Sequence, residues 1–293
     1  MDWVNSFRSP VLTVFFQYIT WLGYRDFLFL FIPFCYWFFD RKIFGIFTLF
    51  VFIGALTNTY LKDLFQDSRP NVDLNIDPWA THDELSYGFP SGHAQLAVII
   101  WGYLFQQTKN LYLKIFFTLL IINICLSRIY LGVHDIPDVI GGIFFGLISL
   151  FFLNYLLSSK FDWLRNTSYS THFLIYLIIL LLVYFTWPIE ESRTTAAGLG
   201  GIIIAFWFGS TLDKTYIDFQ RPRNLSMKII ASILVIFGLV FLNKHLEQFF
   251  ETVLLDYNFE TLTSSLILGI YISLIGPLII SLFNFNEKKF TEH

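Results

Sequence analysis

Charged residues are scarce in this chain. Only 14% of its 293 residues are Asp, Glu, Lys or Arg, and 55% are apolar, whereas soluble domains are usually about 25% charged. So little polar surface cannot cover a folded chain of this size in water. The shortage of charge therefore argues against a large soluble helical protein and favours a protein that lies in a membrane.

Cysteines and clustered basic residues are also few. The two cysteines, Cys35 and Cys125, both lie inside apolar runs, so we expect small core residues and no disulfide framework. Their spacing forms no CxxC pair or other metal-binding pattern. The net charge is −3 and there is no basic stripe, which argues against nucleic acid as a partner.

Apolar runs fill most of the sequence and predict an all-α, polytopic membrane bundle of about nine spans. Several runs are shorter than the ~20 residues that a spanning helix needs, so we expect either that the helices include their polar ends or that they pack against one another where the membrane is thinner. Residues 3–22 either lie flat in the interface as an amphipathic helix or form a further span. The runs cover 26–39, 44–61, 93–107, 111–127, 139–158, 171–187, 196–212, 229–243 and 261–284.

The distribution of charge orients these predicted spans. Most of the 19 Lys and Arg residues fall on one side and most of the 22 carboxylates on the other. The basic side should be cytoplasmic, which puts the N-terminus outside and the C-terminus inside. No basic start or small-residue cleavage pattern marks a leader peptide. We expect an integral, multi-pass protein, with a bacterial inner membrane as the favoured location.

Every unusual polar cluster falls in residues 1–158, which hold five of the predicted spans. Residues 159–293 add four spans without a comparable cluster. The longest polar segment, 63–90, faces outward under this topology, and unstructured loops of that length tend to be functional. The sequence therefore predicts a functional core at 1–158 followed by additional transmembrane helices at 159–293.

The first polar cluster is "KDLFQDSRP", which contains Lys62, Arg69 and Pro70. Seven residues make about two helical turns, so Lys62 and Arg69 would point the same way if the span continued outward. The alternative is simple anchoring, because Lys and Arg often extend from helix ends to the interface.

The second cluster is Pro90-Ser91-Gly92-His93 at the start of an apolar run. Proline and serine are common where a helix begins, so an ordinary loop-to-helix junction is one interpretation. The other is an anion site, because a glycine N–H at a helix N-terminus, a hydroxyl and an imidazole together can hold an anion.

The third cluster is Ser127-Arg128, followed by His134 and Asp138. A carboxylate four residues after a histidine can accept a hydrogen bond from one ring nitrogen and leave the other as a free lone pair. A nucleophilic imidazole needs this arrangement. The alternative is a loop histidine whose hydrogen bonds are merely satisfied.

Under the predicted topology, all three clusters lie on the outer side. Three cations (Lys62, Arg69 and Arg128), two imidazoles and the helix-start amides would then converge on one anion. A phosphoryl group is the favoured guest, because its transfer depends mainly on positioning and on charge neutralisation.

The pattern K-x6-RP, PSGH and SR-x5-H-x3-D resembles the signature of the type-2 phosphatidic acid phosphatase and vanadium haloperoxidase superfamily. The resemblance covers 62–138, and the nine-span, outside-N arrangement is similar to the glucose-6-phosphatase and sphingosine-phosphate phosphatase branches. Many lipid phosphatases of the family have six spans, so the helices after 171 depart from that pattern. All eleven signature positions are present: Lys62, Arg69, Pro70, Pro90, Ser91, Gly92, His93, Ser127, Arg128, His134 and Asp138.

The resemblance implies a role for each matched position. His134 would be the nucleophile that becomes phosphohistidine, Asp138 would hold its ring, and His93 would be the general acid and later the base. No metal or other cofactor would be needed, because the cations neutralise the phosphoryl charge. The implied ligands of the phosphoryl oxygens are Lys62, Arg69, Ser91, Gly92 and Arg128.

A site at a bilayer surface implies an amphiphilic substrate, namely a lipid phosphate or a lipid diphosphate, with membrane lipids around it. One alternative is hydrolysis of a soluble phosphate ester, as in glucose-6-phosphatases, and another is a haloperoxidase with vanadate at the same site. A transporter or a scaffold is the non-enzymatic alternative, although the sequence shows neither an inverted repeat nor polar residues within broken helices near mid-membrane. In the outer loop, His82, Asp83, Glu84 and Tyr87 form either a solvated face or a surface that selects the headgroup.

Overall fold

The chain is largely helical in the part that the structure describes. The structure is a computed structural model that describes residues 2–80, 86–158, 160, 162, 166–219, 222, 224–253 and 257–291. These residues contain no strand, which confirms the predicted all-α class. The α-helices are α1 Pro10–Trp21, α2 Arg25–Phe38, α3 Arg41–Phe65, α4 Gly92–Gln107, α5 Leu111–Tyr130, α6 Ile136–Leu156, α7 Tyr169–Phe185, α8 Arg193–Leu212, α9 Leu225–Val253, α10 Tyr257–Ile270 and α11 Gly276–Thr291.

Shorter helical segments flank or join these helices. Asp2–Phe7, Val72–Leu74 and Glu190–Ser192 are 3-10 helices. Two π-helical segments, Asp213–Ile217 and Tyr271–Ile275, follow α8 and α10. The second of them joins α10 to α11, so the last predicted span is one helix with a π-helical interruption.

Each of the nine predicted apolar runs falls on a helix of the structure. Among the described residues, six helical stretches are long and apolar enough to cross a membrane, and α7 is apolar but has only 17 residues. Because α2 and α4 have 14 and 16 residues, the count of nine spans stays a prediction. The six stretches are Arg41–Phe65, Leu111–Tyr130, Ile136–Leu156, Glu190–Ile217, Leu225–Phe250 and Phe259–Phe283.

The N-terminal segment forms a short helix. Ser9 caps α1 by accepting a hydrogen bond from the Leu12 N–H, and α1 packs against α5. Its 12 residues extend about 18 Å at 1.5 Å per residue, which is shorter than the ~30 Å hydrocarbon core. Of the two expectations for residues 3–22, a full span therefore does not fit this helix.

The packing divides the chain into two units. The first unit comprises Met1–Phe29 and Ile53–Thr167, and the second comprises Leu30–Phe52 and Ser168–His293. Every signature residue belongs to the first unit.

The second unit is built on close helix packing. Small residues of α8 lie against the helical stretch 261–273, so that a Cβ added at Gly198 or Gly209 would crowd the side chains of Thr261 or Ser273. Small residues at such contacts let helix backbones approach closely in a membrane. The residue numbers at these contacts increase together along both helices, so α8 and α10 run in the same direction.

In the first unit, close packing between α4 and α6 joins two of the polar clusters. A Cβ at Gly142 would crowd the Ser91 carbonyl, and one at Gly146 would crowd Val98, so these glycines let α6 approach the beginning of α4. The Ser91 N–H donates to the Asp138 carbonyl over 2.9 Å. Two signature motifs that are distant in sequence thus share a backbone hydrogen bond.

Candidate active site

A cavity of about 260 Å³ lies in the first unit at the ends of α3 and α5 and at the start of α4. Five side chains from the three predicted clusters line it: Lys62, Arg69, His93, Arg128 and His134. The structure therefore brings the predicted cationic and imidazole residues to one space.

His134 has one ring nitrogen bound and the other directed to the cationic part of the cavity. Its Nδ1 lies 2.9 Å from Asp138 Oδ2, and its Nε2 lies 3.3 Å from Arg69 Nη1. A guanidinium group can only donate, so Nε2 accepts and Nδ1 carries the proton. Burial, and then the charge of Arg69, hold the pKa of His134 well below its usual range. At neutral pH the imidazole is therefore neutral, with a lone pair on Nε2.

Asp138 is held in place because it also caps α6. Its backbone N–H donates to Asp135 Oδ1 over 3.0 Å, and its Oδ2 accepts from the Asp135 N–H over 3.3 Å. This reciprocal capping box uses the same carboxylate oxygen that holds His134. Asp135 is thus the N-cap of α6.

Lys62 and Arg69 reach the cavity by different routes. The α3 helix ends at Phe65, and Gln66 has a positive φ of 48°, so the condition that the span continues to Arg69 is not met. Lys62, 5% exposed, donates to the carbonyls of Tyr87 and Gly88. Arg69 lies in the following loop and donates to the Val133 carbonyl over 2.9 Å.

Arg69 remains a cation in this setting. Burial, and then the nearby charge of Arg128, lower the pKa of Arg69 to about 10. The group is therefore protonated at neutral pH and can offer its N–H groups to an anion.

The start of α4 places Gly92 and His93 on the cavity. A Cβ at Gly92 would come within 2.9 Å of Asn58 Oδ1, so a larger residue would displace this turn. Ser91 is the N-cap but makes no side-chain capping bond, and it is fully buried and is not a lining residue. Among the described residues, no group pairs with the Ser91 hydroxyl or with His93 Nε2.

Arg128 forms a buried ion pair that the sequence did not reveal. Its Nη1 lies 2.7 Å from Asp77 Oδ2 and also donates to the Thr20 hydroxyl. The ring of Tyr24 lies beside it, 5.6 Å from the guanidinium carbon to the ring centroid. Sequence reasoning missed Thr20, Tyr24 and Asp77, because they carry no motif and lie far from Arg128 in the chain.

Asn58 is a further residue that sequence reasoning missed. It lines the cavity, and its side-chain amide donates to the Pro90 carbonyl over 3.2 Å and to Gln95 Oε1 over 2.9 Å. The sequence did contain a signal for this residue, because Asn58 lies four residues before Lys62 and therefore on the same helix face.

The outer loop is described only in part. His82, Asp83 and Glu84, considered above for headgroup selection, lie outside the described residues. Tyr87 is described, and its backbone carbonyl contributes to the site by accepting a hydrogen bond from Lys62. Trp79, Ala80 and Ser86 complete this part of the cavity lining.

The arrangement can bind a tetrahedral anion and attack it. Three cationic side chains can share the oxygens of a phosphoryl group, and a neutral imidazole nitrogen lies beside one of them. Within the described part of the chain, no three His, Cys, Asp or Glu side chains are grouped to hold a metal ion.

Comparisons with known proteins identify the family. Residues 42–162 match the model of the PAP2 superfamily. The chain is 33% identical over 161 residues to phosphatidylglycerophosphatase B of Bacillus subtilis (strain 168), covering 50% of this chain and 75% of that protein. The chain therefore belongs to the PAP2 superfamily, which confirms the family predicted from the signature.

Two further matches extend the comparison. Human sphingosine-1-phosphate phosphatase 2 is 30% identical over 209 residues, which cover 66% of this chain and 51% of that protein. The chain thus spans about half the length of this relative. A crystal structure of the transmembrane PAP2-type phosphatidylglycerolphosphate phosphatase of Bacillus subtilis superposes with a TM-score of 0.44 at 25% identity, covering 53% of this chain and 81% of that one.

Proposed function

We propose that this protein is an integral-membrane phosphatase that hydrolyses a phosphate monoester or diphosphate of a lipid through a phosphohistidine intermediate. One observation carries the proposal. His134 Nε2 keeps its lone pair and lies 3.3 Å from Arg69 in a cavity that Lys62 and Arg128 also line. A phosphoryl group bound by these cations would lie beside a nucleophile.

In the first step, His134 Nε2 attacks phosphorus, an N–P bond forms, and the bond from phosphorus to the lipid oxygen breaks. His93, in its protonated form, donates its proton to the departing oxygen. Asp138 accepts from Nδ1–H throughout and stabilises the positive charge on the modified ring. Lys62, Arg69 and Arg128 hold the phosphoryl oxygens, with the Gly92 N–H as a further donor. The Ser91 hydroxyl does not line the cavity, and we assign it as a donor from the signature and because it has no partner among the described residues.

In the second step, His93 is neutral and accepts a proton from a water molecule. The water oxygen attacks phosphorus, the N–P bond breaks, and its electron pair returns to His134 Nε2. Inorganic phosphate leaves, and His93 is again protonated for the next cycle. Both steps need His93 Nε2 to be unengaged, and it has no partner among the residues that the structure describes.

A lipid substrate is supported by the membrane character of the chain and by its relatives. Among the described residues, six helical stretches are long and apolar enough to span a membrane, and the similar proteins are named for sphingosine-1-phosphate and for phosphatidylglycerophosphate. We infer that residues 1–158 form the phosphatase core and that 159–293 add membrane helices. The excess of basic residues on the opposite side supports a site on the periplasmic, extracellular or lumenal face.

The test is phosphate release from a panel of substrates by purified protein in detergent. We expect turnover of lipid phosphates or lipid diphosphates and little turnover of sugar phosphates. Preference for a sugar phosphate would instead support a glucose-6-phosphatase-like activity. Absence of release from every substrate, by protein that is folded and monodisperse, would contradict the proposal and leave a transporter or scaffold.

Metal independence gives a separate prediction. The three cations already supply the charge that a metal ion would bring to a phosphoryl group, so an excess of EDTA should change the initial rate less than about twofold. Orthovanadate should compete with the substrate, because it resembles the phosphoryl group as it is transferred. Loss of activity in EDTA that returns with an added divalent metal would show that the metal-free scheme is wrong.

A further inference from the structure

We propose that Asp77 and Tyr24, which lie outside the signature motifs, are positioning residues that aim Arg128 at the phosphoryl group. The inference rests on the proposed function, because it assigns these residues to the same anion site. It also makes the N-terminal segment, residues 8–24, part of the catalytic unit.

The hydrogen bonds of Arg128 show how its guanidinium group would be oriented. Nη1 is engaged by Asp77 Oδ2 at 2.7 Å and by the Thr20 hydroxyl. Nε has no partner among the described residues, although the side chain is only 3% exposed and the residue lines the cavity. A buried guanidinium N–H without a partner is unfavourable. A guanidinium group binds phosphate through two adjacent nitrogens. Because Asp77 and Thr20 hold Nη1, the edge of the guanidinium group that carries Nε is left for an anion.

Asp77 is itself held in one orientation. Its Oδ1 accepts from the Trp79 N–H over 3.1 Å, and its own N–H donates to Asn75 Oδ1 over 2.9 Å. The Tyr24 hydroxyl donates to Oδ2 over 2.7 Å, the same oxygen that binds Arg128. Burial raises the pKa of Tyr24 to about 12, so the hydroxyl keeps its proton and remains a donor at neutral pH.

The ring of Tyr24 contacts the side chains of both His93 and Arg128. It packs edge-on against His93 with 4.5 Å between ring centroids, and it lies beside the guanidinium of Arg128. His93 also has a hydrogen bond with the backbone of Thr20. A Cβ at Gly23 would overlap the His93 ring, so the turn after α1 lies directly on the imidazole.

The loop that carries Asp77 is fastened to the N-terminal segment and to the end of α5. Arg8 donates to the Leu74 carbonyl over 2.6 Å, and the Ile76 N–H donates to the Leu131 carbonyl over 2.9 Å. Gly132 has a positive φ of 76°, and a Cβ there would overlap the Leu74 carbonyl, so only glycine allows this approach. The position of Asp77 therefore depends on a close fit between three segments that are remote in sequence.

The closing experiment uses the full chain in detergent and three variants. Asp77→Asn removes the charge that orients Arg128, and Tyr24→Phe removes only the hydroxyl. Tyr130→Phe is the matched control, because its hydroxyl binds the same N-terminal segment, at the Ser9 N–H over 2.9 Å and near the Thr13 hydroxyl at 3.1 Å. For each variant we would measure Tm without ligand, the affinity for orthovanadate from the Tm shift that it produces, and kcat/KM.

We expect Asp77→Asn to weaken orthovanadate binding and lower kcat/KM by about tenfold or more, and Tyr24→Phe by about threefold to tenfold. For Tyr130→Phe, the orthovanadate affinity and kcat/KM should both stay within about twofold of the wild-type values, even if the variant has a lower Tm. If Asp77→Asn does not fold, Tyr24→Phe carries the test. Unchanged orthovanadate affinity in a folded Asp77 or Tyr24 variant, or an equal loss in the control, would overturn the inference.

The same measurements distinguish the two proposals. If the wild-type protein binds orthovanadate in a manner that depends on Asp77 but releases phosphate from no substrate, the proposed function fails and the positioning role stands. If phosphate is released and the Asp77 and Tyr24 variants match the wild type, the positioning role fails and the proposed function stands.

Discussion

Replacing His134 by alanine should lower phosphate release by about a thousandfold or more while the protein stays folded. The expected size follows from loss of a nucleophile, which removes the whole covalent route. The imidazole is 2% exposed, so folding is checked through Tm and gel filtration in detergent. Rates would be measured with the best lipid substrate found in the panel.

A labelling experiment shows whether His134 carries the phosphoryl group. Wild-type protein quenched during turnover of a substrate labelled in its phosphate should retain an acid-labile, base-stable label, and His134→Ala should retain none. His245→Ala is the matched control, because this exposed histidine belongs to the second unit and its ring forms a hydrogen bond with the Phe241 carbonyl of its own helix, α9. Near-normal turnover by folded His134→Ala protein would contradict the assignment of the nucleophile.

Replacing His93 by alanine should have the second large effect, and its size should depend on the leaving group. A general acid contributes about 10²–10⁴-fold, and most where the departing oxygen is strongly basic. We therefore expect kcat/KM to fall by that factor for an alkyl lipid phosphate. For an aryl phosphate such as a nitrophenyl ester, the fall should be less than about tenfold.

The comparison uses kcat/KM because this quantity reports the steps up to departure of the leaving group, whereas kcat also includes hydrolysis of the phosphoenzyme. In the proposed mechanism His93 also activates the water in that hydrolysis, so the variant should accumulate phosphohistidine and give a burst of the aryl alcohol. Equal losses of kcat/KM for both leaving groups, with no burst, would count against His93 as the general acid.

The two histidines lie close to the cationic side chains of the site. Both predictions therefore concern catalysis and not only the stability of the fold. His134 Nε2 lies beside Arg69, and His93 packs against Tyr24, whose ring also lies beside the guanidinium group of Arg128. Each imidazole is therefore adjacent to a group that would bind the same phosphoryl oxygens. Replacing either imidazole leaves those cations in place, so anion binding should outlast turnover in both variants.

Much of the site could be predicted because its motifs are local. The pairing of His134 with Asp138 follows from their four-residue separation at a helix start, and Asp135 and Pro137 mark that start by ordinary capping preferences. The apolar runs predicted where the helices lie, since period and length are properties of short stretches. Even the missed Asn58 lies one helical turn from Lys62.

The amino-acid sequence by itself thus determined the helical class, the family and the chemical groups of the proposed site, because each of these depends on short stretches of neighbouring residues. Tertiary structure alone decided that Lys62 and Arg69 come from a helix and a loop rather than one helix, since the backbone turns at Gln66. It also decided which groups hold Arg128. Asp77 and Thr20 lie 51 and 108 positions away from it, and only the packing of α1, α5 and the intervening loop brings them within hydrogen-bonding distance.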